Sequence, residues 1–171
     1  WRQLDLDSPI EVKNEFTSIF DGSSYSLSAD EDSDSTLYSL IGSEVTIRDL
    51  MDRMIGRSSN LATNILIEIA DPDSIAPLLA QLRADGMKVL RGVEDIPAYE
   101  NGLNNTTTAR GLLELLSALA RGPTATPQAT SEMIEALLRQ EFNDAIPAGL
   151  PEGTPVAHKT GWITAVDHDG A

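Results

Sequence analysis

Thr46-Ile47-Arg48-Asp49-Leu50-Met51-Asp52-Arg53-Met54-Ile55-Gly56-Arg57-Ser58-Ser59-Asn60-Leu61-Ala62-Thr63-Asn64-Ile65-Leu66-Ile67-Glu68-Ile69-Ala70 reads as two helices joined at a glycine and a pair of serines. Thr46 offers a side-chain oxygen to the free amides of a first turn, and Asp49 stands three residues on, as in a capping box. Ile47, Leu50, Met51, Met54 and Ile55 follow at helical spacing, which predicts one buried face over 47–55. Gly56 ends that helix, and Ser58 is placed to cap a second one running from about Ser59 to Ala70. The second helix carries Leu61, Ala62, Ile65, Leu66, Ile67 and Ile69 around most of its circumference, the pattern of a helix surrounded by others. Asn60 and Asn64 lie four apart on it, so at least one amide points into an interior or a cleft where it must find partners.

Outward from this pair, helical periodicity recurs near 73–84 (Ile75, Leu78, Leu79, Leu82), near 108–121 (Leu112, Leu115, Leu116, Leu119) and near 127–139, where Pro127 starts a segment burying Met133, Ile134, Leu137 and Leu138. Only Pro155 to Trp162 reads as a strand. Residues 1–45 are rich in Ser, Asp and Gly, with an acidic cluster at Asp30, Glu31, Asp32 and Asp34 that reads as a solvated excursion. A helical block followed by a late strand predicts an α+β fold. One domain is expected over 1–171, with an irregular segment over 1–45, a helical subdomain over 46–150 and the start of an antiparallel sheet over 151–171. No internal repeat is visible.

Twelve basic against 27 acidic residues give a net charge of −15, which argues against nucleic acid or an anionic membrane surface as partner, because phosphates need clustered cations. An apolar share of 41% is enough for a packed core, so global disorder is not expected. The absence of cysteine excludes disulfides and thiolate catalysis and leaves the compartment open. His158 and His168 lack a third ligand nearby in sequence, so no metal site is expected. Trp1-Arg2-Gln3 has neither the basic start nor the apolar run of a signal peptide, and no apolar stretch approaches the ~18–20 residues of a membrane span. With no initiator Met, and with the chain stopping where a strand could begin, it reads as a piece of a longer protein.

Two short motifs carry the chemistry: Ser58-Ser59-Asn60 at the head of an apolar helix, and Lys159-Thr160-Gly161 in the strand-like run, 101 positions further on. Together with Thr46-Ile47-Arg48-Asp49-Leu50, Asn64 and the flanking His158 and Trp162, they resemble the serine β-lactamase and penicillin-binding protein superfamily, most closely the serine hydrolases related to class A β-lactamases. Order, spacing and the helix and strand contexts make the combination specific where each motif alone is weak. Such enzymes also carry a Ser-x-x-Lys. No serine in this chain has a lysine three positions later, so the nucleophile and its lysine are expected upstream of Trp1.

The resemblance implies an acyl-enzyme hydrolase of β-lactams or related amides and esters. It implies no cofactor, a small-molecule substrate, a monomer, and a periplasmic or extracellular place. Ser58 would pass a proton to the leaving nitrogen, and Lys159, the other residue counted as catalytic, would raise the local potential; a plain helix cap is the structural alternative for Ser58. Asn60 would bind the substrate's acylamide and the missing catalytic lysine, or be a satisfied buried amide. Lys159 and Thr160 would hold a substrate carboxylate, and Gly161 would let the ligand approach the strand. Glu100, in Glu100-Asn101-Gly102-Leu103-Asn104, matches by spacing a deacylating Glu-x-x-Leu-Asn, although Thr106-Thr107-Thr108 follows sooner than in class A enzymes. The alternative there is an exposed carboxylate. Asn64 is expected to anchor a neighbouring loop. The 171 residues alone are expected to be inactive. A noncatalytic module for peptidoglycan-like or other carboxylate ligands and a peptidase or esterase relative remain as other readings.

Overall fold

The computed structural model describes residues 4–122, 126–163 and 166–171, with the side chains of 163–168 left out. The Trp1-Arg2-Gln3 start and the His168 side chain therefore lie outside the described residues.

The first 45 residues are more ordered than their composition predicts. Strand β1 (Pro9–Glu11) pairs antiparallel with β4 (Glu44–Thr46), with Ile10 opposite Val45, and β2 (Phe16–Thr17) pairs with β3 (Ser24–Tyr25). A 3-10 turn over Ser35–Leu40 buries Leu37 completely. Apolar burial explains why so polar a segment stays in place: Val12, Phe16, Leu27 and Leu37 join Leu50, Leu61, Ala62 and Ile65 in one core.

Helix α1 (Ile47–Gly56) begins as its sequence predicts, with Thr46 Oγ1 accepting from the Asp49 amide at 3.1 Å. Helix α2 (Asn60–Ala70) differs in its cap, which is Ser59 rather than Ser58: Ser59 Oγ accepts from the Ala62 amide at 3.2 Å. The Asp32 carboxylate supports the same helix end by accepting from the Leu61 amide at 2.9 Å, a favourable place for an anion beside a helix dipole. Helix α2 buries Leu61, Ala62, Asn64 and Ile65. Helices α3 (Pro72–Gln81), α4 (Ile96–Glu100), α5 (Ala109–Arg121) and α6 (Pro127–Leu138) follow.

Helix α6 docks on α1 through polar contacts near its end. Arg48 meets Glu132 at 2.6 Å, Arg139 meets Asp52 at 2.5 Å, and Gln140 Nε2 donates to the Ile55 carbonyl at 2.8 Å. The strand expected over 155–162 starts later: β5 (Lys159–Ile163) pairs antiparallel with β6 (Val166–Gly170), with Thr160 opposite Asp169. Gly170 lets this hairpin lie against α5, since a Cβ there would stand 2.8 Å from Leu112 Cδ2. The result is an α+β arrangement in which β5 faces the start of α2. Among the described residues no helix is long and apolar enough to cross a membrane, and no three His, Cys, Asp or Glu side chains converge as metal ligands would.

Candidate active site

Because Ser59 caps α2, the hydroxyl of Ser58 is free for other work. Ser58 takes a left-handed backbone conformation, φ 55°, which costs a non-glycine residue on the order of 1 kcal/mol and turns it out of the helical path. Across the gap, Lys159 Nζ donates to Ser58 Oγ and, at 2.7 Å, to the carbonyl of Thr160. The two motifs separated by 101 residues therefore meet. An ammonium has only hydrogens to offer, so Ser58 Oγ accepts from it and its own O–H hydrogen points elsewhere. Burial lowers the Lys159 pKa from its usual range, and the Asp169 carboxylate acts in the opposite sense. Thr160 and Gly161 are half-buried on the same strand, and Trp162 beyond them is 77% exposed.

The other wall is a loop that the helical pattern did not reveal. Residues 90–105 close on themselves at Asn105, whose Oδ1 accepts from the amides of Leu90 (2.8 Å) and Arg91 (3.1 Å) and whose Nδ2 donates to the Arg91 carbonyl (2.9 Å). Lys88 and Thr106 pair just outside this neck. Compact loops with joined ends of this kind commonly carry functional groups. Asn64 braces the loop from α2: Nδ2 donates to the Val93 carbonyl at 3.0 Å and Oδ1 accepts the Val93 amide at 2.6 Å. This is the anchoring role expected for Asn64. Asp95, fully buried, accepts from Ser18 Oγ at 2.6 Å and the Ile19 amide at 3.0 Å, tying the loop to the β2–β3 hairpin. Gly92 passes so close to the Tyr25 hydroxyl that a Cβ would run into it.

Within this frame Glu94 faces the start of α2. Asn60 Nδ2 donates to Glu94 Oε1 at 3.4 Å. Burial raises the Glu94 carboxyl pKa above its usual range and the charges of Glu31 and Asp32 add to the rise, while the Asn60 bond opposes it. Glu94 also has a positive φ of 64°, so two of the residues around this gap hold uncommon backbone conformations. Glu100 lies six residues on, exposed at the end of α4, and no described hydrogen bond links it to Ser58, Asn60 or Lys159. Sequence reasoning missed Glu94 because its place depends on Asn64 and Asn105. Their spacing of 29 and 14 residues from the backbone they hold is the only signal, and it forms no local pattern.

Replacing Asn64 with leucine leaves the Val93 amide and carbonyl without their partner, at about 1–3 kcal/mol. We expect a correspondingly lower unfolding midpoint in denaturant, together with faster amide exchange at Val93 and Glu94 than in the rest of the protein. Uniform exchange rates across the loop and core would show that Asn64 does not hold it.

Comparison with known proteins concerns the fold and the family. The chain is similar in structure to the β-lactamase from Sphaerobacter thermophilus DSM 20745, at 24% identity and a TM-score of 0.76 over 96% of this chain and 57% of that one. It is also similar to PBP-A, at 21% identity and a TM-score of 0.71 over 96% of this chain and 56% of that one. A β-lactamase from Chitinophaga pinensis DSM 2588 gives 17% identity and a TM-score of 0.71 over 92% of this chain and 56% of that one. The chain thus spans little more than half the length of these solved structures, and at such identities they speak for the fold. No curated protein matches it. The profile of the Beta-lactamase enzyme family, however, matches residues 2–171, and it is to this family that the chain belongs.

Proposed function

We propose that the full-length protein is a serine hydrolase working through an acyl-enzyme on β-lactams or related amides and esters, in the periplasm or outside the cell. The observation that carries this reading is the contact between Lys159 Nζ and Ser58 Oγ. Residues 1–171 supply the proton relay and the recognition groups, and a serine outside them supplies the nucleophile. With its lone pair engaged by Lys159, Ser58 relays the proton that the attacking serine loses: its own hydrogen passes to the leaving nitrogen as the tetrahedral intermediate collapses, and one returns to Oγ, so the hydroxyl ends unchanged. Lys159 and Thr160 hold the substrate carboxylate, and Gly161 lets the substrate lie against β5. Asn60 binds the acylamide.

For deacylation, Glu94 is better placed than Glu100. A carboxylate of raised pKa beside Asn60 is a stronger base toward water than an exposed one. Glu94→Gln is expected to slow deacylation about 100-fold and let the acyl-enzyme accumulate, with Glu100→Gln changing it less than about 3-fold. The reverse pattern would return the role to Glu100.

The reading is tested by intact mass measurement of the full-length protein after exposure to a penicillin. A covalent adduct, or turnover with brief adduct at early times, supports it. Neither adduct nor turnover, with a penicillin still bound, would replace it with a noncatalytic binding module.

A further inference from the structure

A helix that ends on a left-handed residue usually places glycine there, whereas α1 is followed by Ser58, at φ 55°. Such a conformation persists in a residue with a Cβ only where its surroundings hold the chain on both sides. Ahead of Ser58, the carbonyl of Arg53 accepts from the amides of Arg57 and Ser59, both at 3.1 Å, so one oxygen gathers the residues that flank it. Beyond Ser58, the amide of Leu61 donates to Asp32 Oδ2 at 2.9 Å.

Both holds lead to the acidic stretch that composition alone marks as solvated. Asp34 is buried, and its Oδ2 accepts from Arg53 Nη1 at 2.7 Å. Thr36 closes the contact: its Oγ1 accepts from the same Nη1 at 3.0 Å and donates its hydrogen to Asp34 Oδ1. Arg53 Nε donates to Asp49 Oδ2 on its own helix at 2.8 Å, and Arg57 approaches Asp34 to 3.8 Å. Asp32 Oδ1 accepts the Asp34 amide at 2.9 Å and Tyr38 Oη donates to Asp32 Oδ2 at 3.0 Å, so the two carboxylates form one unit. A buried ion pair is a weak source of stability, because desolvation offsets its attraction, whereas losing one partner leaves a costly bare charge.

We propose that Asp34 and Asp32 are positioning residues for Ser58: through the Arg53 side chain and the Leu61 amide they clamp the chain on either side of it and keep its hydroxyl on Lys159. Without the Asp34 charge, Arg53 loses its buried anchor, its carbonyl shifts from the Arg57 and Ser59 amides, and Ser58 relaxes out of the left-handed turn with its Oγ away from the ammonium. Lys159 and Thr160, which hold the substrate carboxylate, stand on β5 and bond to neither aspartate. Loss of the clamp therefore slows the proton step more than it weakens binding. This rests on the reading of Ser58 as the proton relay.

The test compares Asp34→Asn with the unmodified full-length protein. Acylation rates over a range of penicillin concentrations separate the chemical step from binding. The asparagine variant is expected to lose about 10-fold in the saturating rate, while the half-saturating concentration changes less than about 3-fold. Arg53→Lys, which keeps a cation beside Asp34, should retain more of that rate than Arg53→Gln. Amide hydrogen exchange followed by NMR is expected to quicken about 10-fold at Ser59 in Asp34→Asn, relative to the Met51 amide within α1. Thr36→Val, which takes one partner from both Asp34 and Arg53, serves if the asparagine variant does not fold. A lower unfolding midpoint with the saturating rate unchanged, a loss confined to the half-saturating concentration, or unchanged relative exchange at Ser59 overturns the proposal. Absence of acylation in the unmodified protein would instead overturn the enzymatic reading, with exchange at Ser59 still deciding whether the two carboxylates hold the turn.

Discussion

Lys159→Ala in the full-length protein is expected to slow acylation by a penicillin about 100- to 1,000-fold, the usual cost of removing one preorganised charged donor from a catalytic site. The size follows from the geometry. Lys159 is the donor to Ser58 Oγ and is itself held by the Thr160 carbonyl, so on the proposed reading its loss removes both the charge for the substrate carboxylate and the group that orients the serine hydroxyl. Part of the loss will show as weaker substrate binding and part as a slower chemical step, and rapid-mixing measurements over a range of penicillin concentrations separate the two. Lys159→Arg retains the charge but replaces a compact ammonium with a planar fork, and it should recover binding better than the chemical step. A change below about 3-fold in Lys159→Ala would show that the contact with Ser58 is incidental to catalysis.

The second large effect is on stability. Leu61 is fully buried at the start of α2, in the same core as Val12, Phe16, Leu37 and Leu50. Leu61→Ala removes contacts on all sides and leaves a cavity that the short β1–β4 and β2–β3 ladders are too constrained to fill, so about 3–5 kcal/mol should be lost. For a protein of this size that is a fall in melting temperature of roughly 10 °C. Leu113, 59% exposed on α5, is the control, and its replacement by alanine should change stability by no more than about 0.5 kcal/mol. Equal effects at the two positions would mean that the core is not centred where the structure places it.

How much of this was legible in the sequence depends on whether the cause was local. Helices α1, α5 and α6 could be read because their apolar periods, with the cap Thr46 for α1 and the opening Pro127 for α6, lie within one continuous segment. Ser58 and Ser59 could not be told apart as caps: either hydroxyl satisfies the local rule, and in the structure Ser59 caps while Ser58 meets Lys159, 101 residues away. The ladders in the first 45 residues contain two or three residues per strand, too few for an alternating pattern to show. Glu100 could be singled out because a motif is counted along the chain, whereas the place of Glu94 depends on Asn64 and Asp95, which build the loop through bonds spanning 29 and 77 residues. His158 was weighed as a metal ligand, and its partner Asp169 emerges only from the register of β5 on β6. The proposed acyl-enzyme chemistry rests on the family resemblance, whose motifs name residues but not the distances between them.

The separation of 101 residues between Ser58 and Lys159 sets the order in which the molecule is assembled. Ser58 and Asn60 leave the ribosome well before Lys159, and at about 5–20 residues per second the 101-residue interval lasts on the order of 5–20 s. During that time the core around α2 can form, since its members all lie between Val12 and Ile65. Docking of α6 on α1 must wait, because its contacts span 84 to 87 residues. The nascent chain therefore passes through a stage in which the core around α2 can pack while the cleft is unassembled, because Lys159 on β5 is made 101 residues after Ser58.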